Sequence, residues 1–166
     1  MIMKMTKEER FVVICDDLRS LHNIGSVFRT ADGAGVNKIY LCGISGRPDD
    51  ERAKGKISKV ALGAEESVKW EYAKQAWRVV EELKKNGFEI VSLEQNPESI
   101  DYSAYKPKCP VALIIGNENS GVKKTLLDRS DKIIEIPMRG AKESLNVSVA
   151  FGIAAYHIGK LSEKHK

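Results

Sequence analysis

"VALIIGNENSG", residues 111–121, decides how the rest of the chain is read. Val111 through Ile115 are apolar without a break, and a glycine ends the run. A strand with one wet face alternates apolar and polar residues, whereas an unbroken run fits a strand covered on both faces. The run therefore points to a parallel sheet between two layers of helix. The following "GNENSG" has glycines at both ends, which allow positive φ and close backbone approach to a ligand. A phosphate loop would need Lys-Ser/Thr directly after the second glycine, and here Val122-Lys123 stands there. The chain has no Gly-x-Gly-x-x-Gly fingerprint either, which weakens a nicotinamide-cofactor reading. Two readings of the loop stay open: a tight strand-to-helix turn, or a ligand cradle. Glu118 within it is either an exposed acid or an acceptor for an arginine or nearby backbone amides.

The same pattern recurs outward from this point. "FVVICDDL" (11–18), "NKIYLCGI" (37–44), "FEIVSLE" (88–94) and "KIIEIPM" (132–138) read as strands, the last stopped by Pro137. Helical periodicity separates them. Residues 22–36 carry Ile24, Val27, Phe28 and Ala31 on one face, with Asn23 as expected N-cap and Gly33 to Gly35 as the stop. Residues 72–87 form an amphipathic helix with Ala76, Val79, Val80 and Leu83 inward, and 123–130 a short one. Residues 45–56 are polar and rich in turn formers, so they are a loop. Strands alternating with helices give an α/β fold with a mainly parallel sheet covered on both faces, expected as one domain over 1–166. Ligands of such sheets bind beyond the carboxyl ends of the strands. The loops of interest are therefore 16–23, 43–56, 94–98, 116–122 and 137–144.

The last helix, within "ESLNVSVAFGIAAYHIGK" (143–160), is apolar nearly all round. Val147, Ala150, Phe151, Ala154, Ala155 and Ile158 make one face, while Val149, Ile153 and Tyr156 make the other side almost as apolar. Such a helix must be covered on most sides. Ser144 is its expected N-cap, which leaves Asn146 in the first turn with no capping duty. Free amides there suit a carboxylate or phosphate. Arg29 stands in the apolar helical stretch "VFRTA", either reaching out to solvent or offering its donor fork to a phosphate.

Length and composition are those of a globular chain: 166 residues, 42% hydrophobic, 30% charged, net charge +4. The positive balance permits an acidic partner such as RNA. No apolar run approaches the roughly 18 residues of a membrane span, and "MIMKMTKEER" contains no leader-like apolar segment, so a cytoplasmic protein is expected. Cys15, Cys42 and Cys109 are far apart and in no metal spacing, so no metal is expected. Cys15 and Cys42 read as core thiols. Without secretion, the sequon at Asn146-Val147-Ser148 is coincidence.

Three segments together carry a resemblance. "HNIGSVFRTA", "LIIGNENSG" and "IPMRGAKESLNVSVAFGIAAY" resemble, in order, the three motifs of the SpoU (TrmH-type) RNA 2'-O-ribose methyltransferases of the SPOUT superfamily. "KISKVALGAEESVKWEY" (56–72) resembles the segment between motifs. The resemblance implies an α/β-knot fold, with a C-terminal trefoil knot. It implies S-adenosylmethionine as methyl donor, RNA (tRNA or rRNA) as substrate, and a homodimer whose sites are completed by the partner chain. Leu93, Gly116, Asn117, Ile136, Met138 and Leu145 match the family's cofactor loops. Arg29 matches the arginine assigned as base; because a free guanidinium does not deprotonate near neutrality, a role in stabilising the developing alkoxide needs the same residue. Asn23, Glu118, Ser144 and Asn146 match residues that position that arginine, the ribose, the cofactor and the phosphate. Many relatives carry an added RNA-binding domain, and only about ten residues precede the first strand here. RNA would then be held by surface cations, with Lys54, Lys56, Lys123, Lys124, Arg139 and Lys142 as candidates. Two other readings compete: an RNA-binding dimer that does not methylate, and a small-molecule α/β transferase or nucleotide binder.

Overall fold

Val111–Ile115 is paired on both sides in parallel register, with Phe11–Asp16 (β1) on one flank and Glu89–Leu93 (β4) on the other. The computed structural model describes residues 8–108 and 110–163. The readings made for residues 1–7 and for Cys109 fall outside them. The sheet has seven strands, all parallel, in the order β3-β2-β1-β6-β4-β7-β5. Here β2 is Lys38–Cys42, β3 Lys69–Ala73, β5 Ile100–Asp101, β6 Val111–Ile115 and β7 Lys132–Glu135. The α/β class and parallel sheet expected from the apolar runs are what the fold contains.

Both faces of the central strands are buried, which is why their sequences do not alternate. Val13, Cys15, Ile39, Leu41 and Leu113 pack on one face against α1 (Leu21–Ala34), α2 (Lys54–Ala61) and α6 (Val147–Glu163). Val12, Ile14, Tyr40 and Ile114 pack on the other against α4 (Ala76–Lys85) and α5 (Lys124–Leu127). Each fully buried aliphatic side chain contributes about 1.5–3 kcal/mol, so these two layers dominate the stability. A short α3 (Ala64–Ser67) leads into β3. Glycines bring the helices on the first face close together. A Cβ on Gly25 of α1 would lie 2.7 Å from the Ile57 carbonyl oxygen of α2, and one on Gly159 of α6 would collide with the Ala34 carbonyl. Cys15 and Cys42 are buried free thiols, and burial pushes both well above the usual thiol range.

Three local expectations need correction. The N-cap of α1 is Ser20, whose hydroxyl accepts the Asn23 amide, and Asn23 lies inside the first turn. The helix expected over 72–87 covers only Ala76–Lys85, because Lys69–Ala73 is the edge strand β3. The last helix starts at Val147, not near Ser144. Asn146 caps it, accepting the Ser148 amide on Oδ1 at 2.9 Å. One side of α6 is fully buried through Phe151, Ala154, Ala155 and Ile158, whereas Val149 and Tyr156 are 51% and 56% exposed. No helix among the described residues is long and apolar enough to cross a membrane.

Candidate active site at the carboxyl ends of β4, β6 and β7

A cavity of about 460 Å³ opens where β4, β6 and β7 end. Its apolar wall includes Leu93, Ile115, Ile136, Leu145 and Val147. Its polar wall carries three carboxylates, Glu94, Glu118 and Glu135, and no lysine, arginine or histidine. The cavity wall is therefore acidic although the chain as a whole carries a net charge of +4.

The loop 116–121 owes its shape to its own backbone. Asn117 and Gly121 exchange two hydrogen bonds, Asn117 N to Gly121 O at 3.1 Å and Gly121 N to Asn117 O at 2.9 Å. Gly116 packs so tightly on this closure that a Cβ there would overlap the Gly121 carbonyl and the Val122 nitrogen. Gly121 has φ +69°, and a Cβ on it would collide with the Glu94 carboxylate. That carboxylate accepts the Val122 amide at 2.8 Å, tying the loop after β4 to the loop after β6. The Asn117 side chain serves the loop, accepting from Asn119 N and Ser120 N and donating to the Asp17 carbonyl at 2.8 Å.

Glu118 is the hub. Its two oxygens accept the Arg19 amide at 3.0 Å and the Ser20 amide at 2.8 Å, just ahead of α1. A carboxylate at a helix N-terminus satisfies free amides and meets the positive end of the dipole. Of the two open readings of Glu118, backbone binding is the one realised. Asn23 Nδ2 donates to Glu118 Oε1 at 3.3 Å, and Asn146 Nδ2 donates to Asn23 Oδ1 at 3.2 Å. Three of the five residues expected together, Glu118, Asn23 and Asn146, form one hydrogen-bonded chain from the loop after β6 through α1 to the head of α6. Desolvation raises the Glu118 pKa, but the Ser20 and Arg19 amides outweigh it, and the net shift is downward.

A depressed folded pKa gives stability that is complete above the unfolded value of about 4.3 and is lost as pH falls through the lower folded value. Glu118→Gln is expected to cost about 1–3 kcal/mol at neutral pH, since hydrogen bonds to charged acceptors are the stronger class. Melting temperature followed from pH 7 to pH 3 checks this. The gap between wild type and variant should narrow as pH falls below the unfolded value and close only below the depressed folded one; a gap independent of pH would show that charge is not what Glu118 contributes.

Of the residues expected at the cofactor, Leu93, Gly116, Asn117, Ile136 and Leu145 line the cavity, as does Ser144. Met138 is half-buried and lies off its wall. Arg29 is exposed on α1, is not part of the wall, and makes no hydrogen bond or ion pair with any described residue. The sequence reading missed Glu94 and Glu135, although the loop starting at Glu94 was marked by its place after β4. Lys123, expected as a phosphate contact, is instead held by Asp16 at 3.1 Å and by Asp17. Lys54 and Lys124 pair with Glu51 and Asp128, each at 2.8 Å. Among the candidate cations, Lys56, Arg139 and Lys142 are exposed and make no ion pair with a described residue. No group of three metal-binding side chains occurs among the described residues.

A model described as the SpoU rRNA Methylase family matches residues 10–156. The chain is 32% identical over 162 residues to the tRNA (guanosine(18)-2'-O)-methyltransferase of Aquifex aeolicus, covering 95% of this chain and 72% of that protein. It is also 32% identical, over 154 residues, to the 23S rRNA (guanosine-2'-O-)-methyltransferase RlmB of Neisseria meningitidis serogroup B, covering 92% and 59%. It superposes with a TM-score of 0.83 on an AdoMet-bound rRNA methyltransferase from Sinorhizobium meliloti, at 26% identity over 96% of this chain and 57% of that one. The chain spans 59–62% of the length of several curated relatives it matches.

Proposed function

Because the chain belongs to the SpoU rRNA methylase family, we propose that it methylates a ribose 2'-hydroxyl in RNA, with S-adenosylmethionine as donor. The observation that carries this is the anionic cavity beside the Glu118–Asn23–Asn146 chain. S-adenosylmethionine bears a sulfonium, an ammonium and one carboxylate, a net charge of +1, and three wall carboxylates favour it. A nucleotide phosphate would face the same three carboxylates with no wall cation to offset them, which argues against the nucleotide-binding alternative. Backbone closure at Gly116 and Gly121 supports a ligand held mainly by main-chain groups.

When bound, the donor would supply an electrophilic methyl on its sulfonium, leaving as the neutral thioether, and the ribose hydroxyl that takes the methyl would release its proton to solvent water. The protein's part is placement and charge. Asn23 and Asn146, locked to each other and to Glu118, fix the head of α1 against the head of α6 beside the cavity. Alignment of oxygen, methyl and sulfur supplies much of the rate. Arg29 stabilises the oxygen as its proton leaves. The exposed side of α6, Val149 and Tyr156, adjoins α1 where a Cβ on Gly33 would meet Tyr156 Oη at 2.6 Å. Arg29 lies one helical turn before Gly33 on the same face. A second copy of the chain covers this surface in our reading, and Arg29 of each protomer serves the cavity of its partner. On the same reading, the chain forms a single domain of this kind and the segment ahead of α6 threads a trefoil knot; the bond from Gln95 Nε2 to the Glu143 carbonyl at 2.7 Å ties that segment to the loop after β4.

The test is incubation with methyl-labelled S-adenosylmethionine and unmodified total RNA, followed by size separation and digestion to nucleosides. Label in a 2'-O-methylnucleoside is the expected result, and the labelled band separates tRNA from rRNA. No label together with no cofactor binding would overturn the proposal.

A further inference from the structure

Loop 43–47 leaves β2 at the same end of the sheet as the cavity, and it is held on every side. Gly43 N bonds the Ala73 carbonyl at 3.1 Å, and Ile44 N bonds Asp17 Oδ1 at 2.9 Å. Ser45 Oγ is buried, accepting the Leu18 amide at 2.9 Å and donating to the Cys15 carbonyl at 3.1 Å. Tyr72 Oη donates to the Gly43 carbonyl at 2.9 Å. This frame presents two features outward that nothing above uses. Ile44 is 64% exposed, and the Arg47 guanidinium lies over the Tyr72 ring at 4.7 Å, steadied by Asp49 at 3.2 Å. Arg52 and Lys56 beyond them are exposed, and their side chains make no ion pair with a described residue.

The place of the loop matters as much as its content. Asp17 and Leu18 hold loop 43–47, while Arg19 and Ser20 hold Glu118. From Asp17 to Ser20 the backbone spans at most about 11 Å. We propose that Ile44, Arg47 and Tyr72 form a stacking shelf for an unpaired nucleobase of the substrate RNA, next to the ribose being methylated. This rests on the RNA-methyltransferase reading and names a subsite for it. RNA recognised through splayed bases stacks them on aromatic rings and arginine planes, and every base has a π-face to offer. A rigid ring with an arginine plane over it, beside an exposed aliphatic side chain and two free cations, suits a base and its phosphates.

The test uses an Ile44→Ser/Arg47→Ala double variant, Ile44 being exposed and Arg47 half-buried, with Tyr72→Phe as the variant that keeps the ring but loses its hydrogen bond. Affinity for unmodified tRNA and rRNA transcripts is measured by filter binding, affinity for S-adenosylmethionine by calorimetry, and mass by light scattering. The double variant should bind RNA about tenfold or more weakly, the loss expected for one stacked base. Cofactor affinity and mass should stay as in wild type, and Tyr72→Phe should bind RNA nearly as wild type does. Equal RNA affinity in the double variant would overturn the shelf. So would a changed mass, which would make the loop a contact between copies. Wild-type protein that binds RNA but transfers no methyl would remove the catalytic reading while the shelf is still judged on affinity.

Discussion

Gly116→Ala is expected to weaken binding of the methyl donor severely and to lower the melting temperature sharply. The added Cβ would overlap the Gly121 carbonyl and the Val122 nitrogen. These are backbone atoms, so no side chain can swing aside. Relief requires loop 117–122 to move as a body. That breaks the Asn117–Gly121 closure and pulls Val122 N from Glu94 and Glu118 from the head of α1. Overpacking of this kind costs about 3 kcal/mol, which for a chain of this size shifts the melting temperature by about 10 °C. Because the displaced loop is a cavity wall, affinity for S-adenosylmethionine should fall by about a hundredfold or more, an effect of about 3 kcal/mol. Gly140→Ala is the matched control, since a Cβ there meets nothing within 4 Å. Calorimetric titration beside thermal melting decides the matter. A Gly116→Ala protein that binds the donor like wild type would separate the cavity from the cofactor site.

How much of this was legible depended on where a residue's partners lie in the chain. β1, β2 and β6 were readable because every residue in them is buried, which leaves apolar runs broken by a polar residue only at one end of β1 and of β2. β3, "KWEYA", is an edge strand with half-exposed polar residues, and its periodicity merged with the helix that follows. Ser20 and Asn23 are both good caps three residues apart, and only the fold decides between them. It spends Asn23 on Glu118, 95 residues away. Glu118 itself was ambiguous because its partners are backbone amides of residues 19 and 20, which no side-chain pattern announces. Lys123 read as a free cation because Asp16, which neutralises it, lies 107 residues upstream. The polar end of α6 was readable as a site feature, but its cap shifted from Ser144 to Asn146. Asn146 does both jobs, capping with Oδ1 and reaching Asn23 with Nδ2. The donor and the dimer came from family resemblance, not from composition or spacing.

Arg29→Ala is expected to reduce methyl transfer by about a hundredfold or more, the usual loss when one group that stabilises developing charge is removed. It should do so without cost elsewhere. Arg29 is exposed and makes no ion pair or hydrogen bond with a described residue, so melting temperature should hold; it is off the cavity wall, so donor affinity should hold too. Arg29→Lys keeps the charge but loses the planar fork, so its activity should fall between the two. The exposure of Arg29 also bears on which cavity it serves. If each site joins Arg29 of one protomer to the cavity of the other, two dead variants can rescue each other. Arg29→Ala mixed with Ile136→Trp, which fills the cavity, gives mixed dimers with one doubly damaged site and one intact site. Random re-pairing should then restore about a quarter of the wild-type sites. Mixing after mild unfolding and refolding, with transfer to RNA as readout, makes the distinction. Rescue near that fraction places Arg29 across the interface. With Arg29 and its cavity in the same chain, every mixed dimer would carry one lesion per site, and no activity would return.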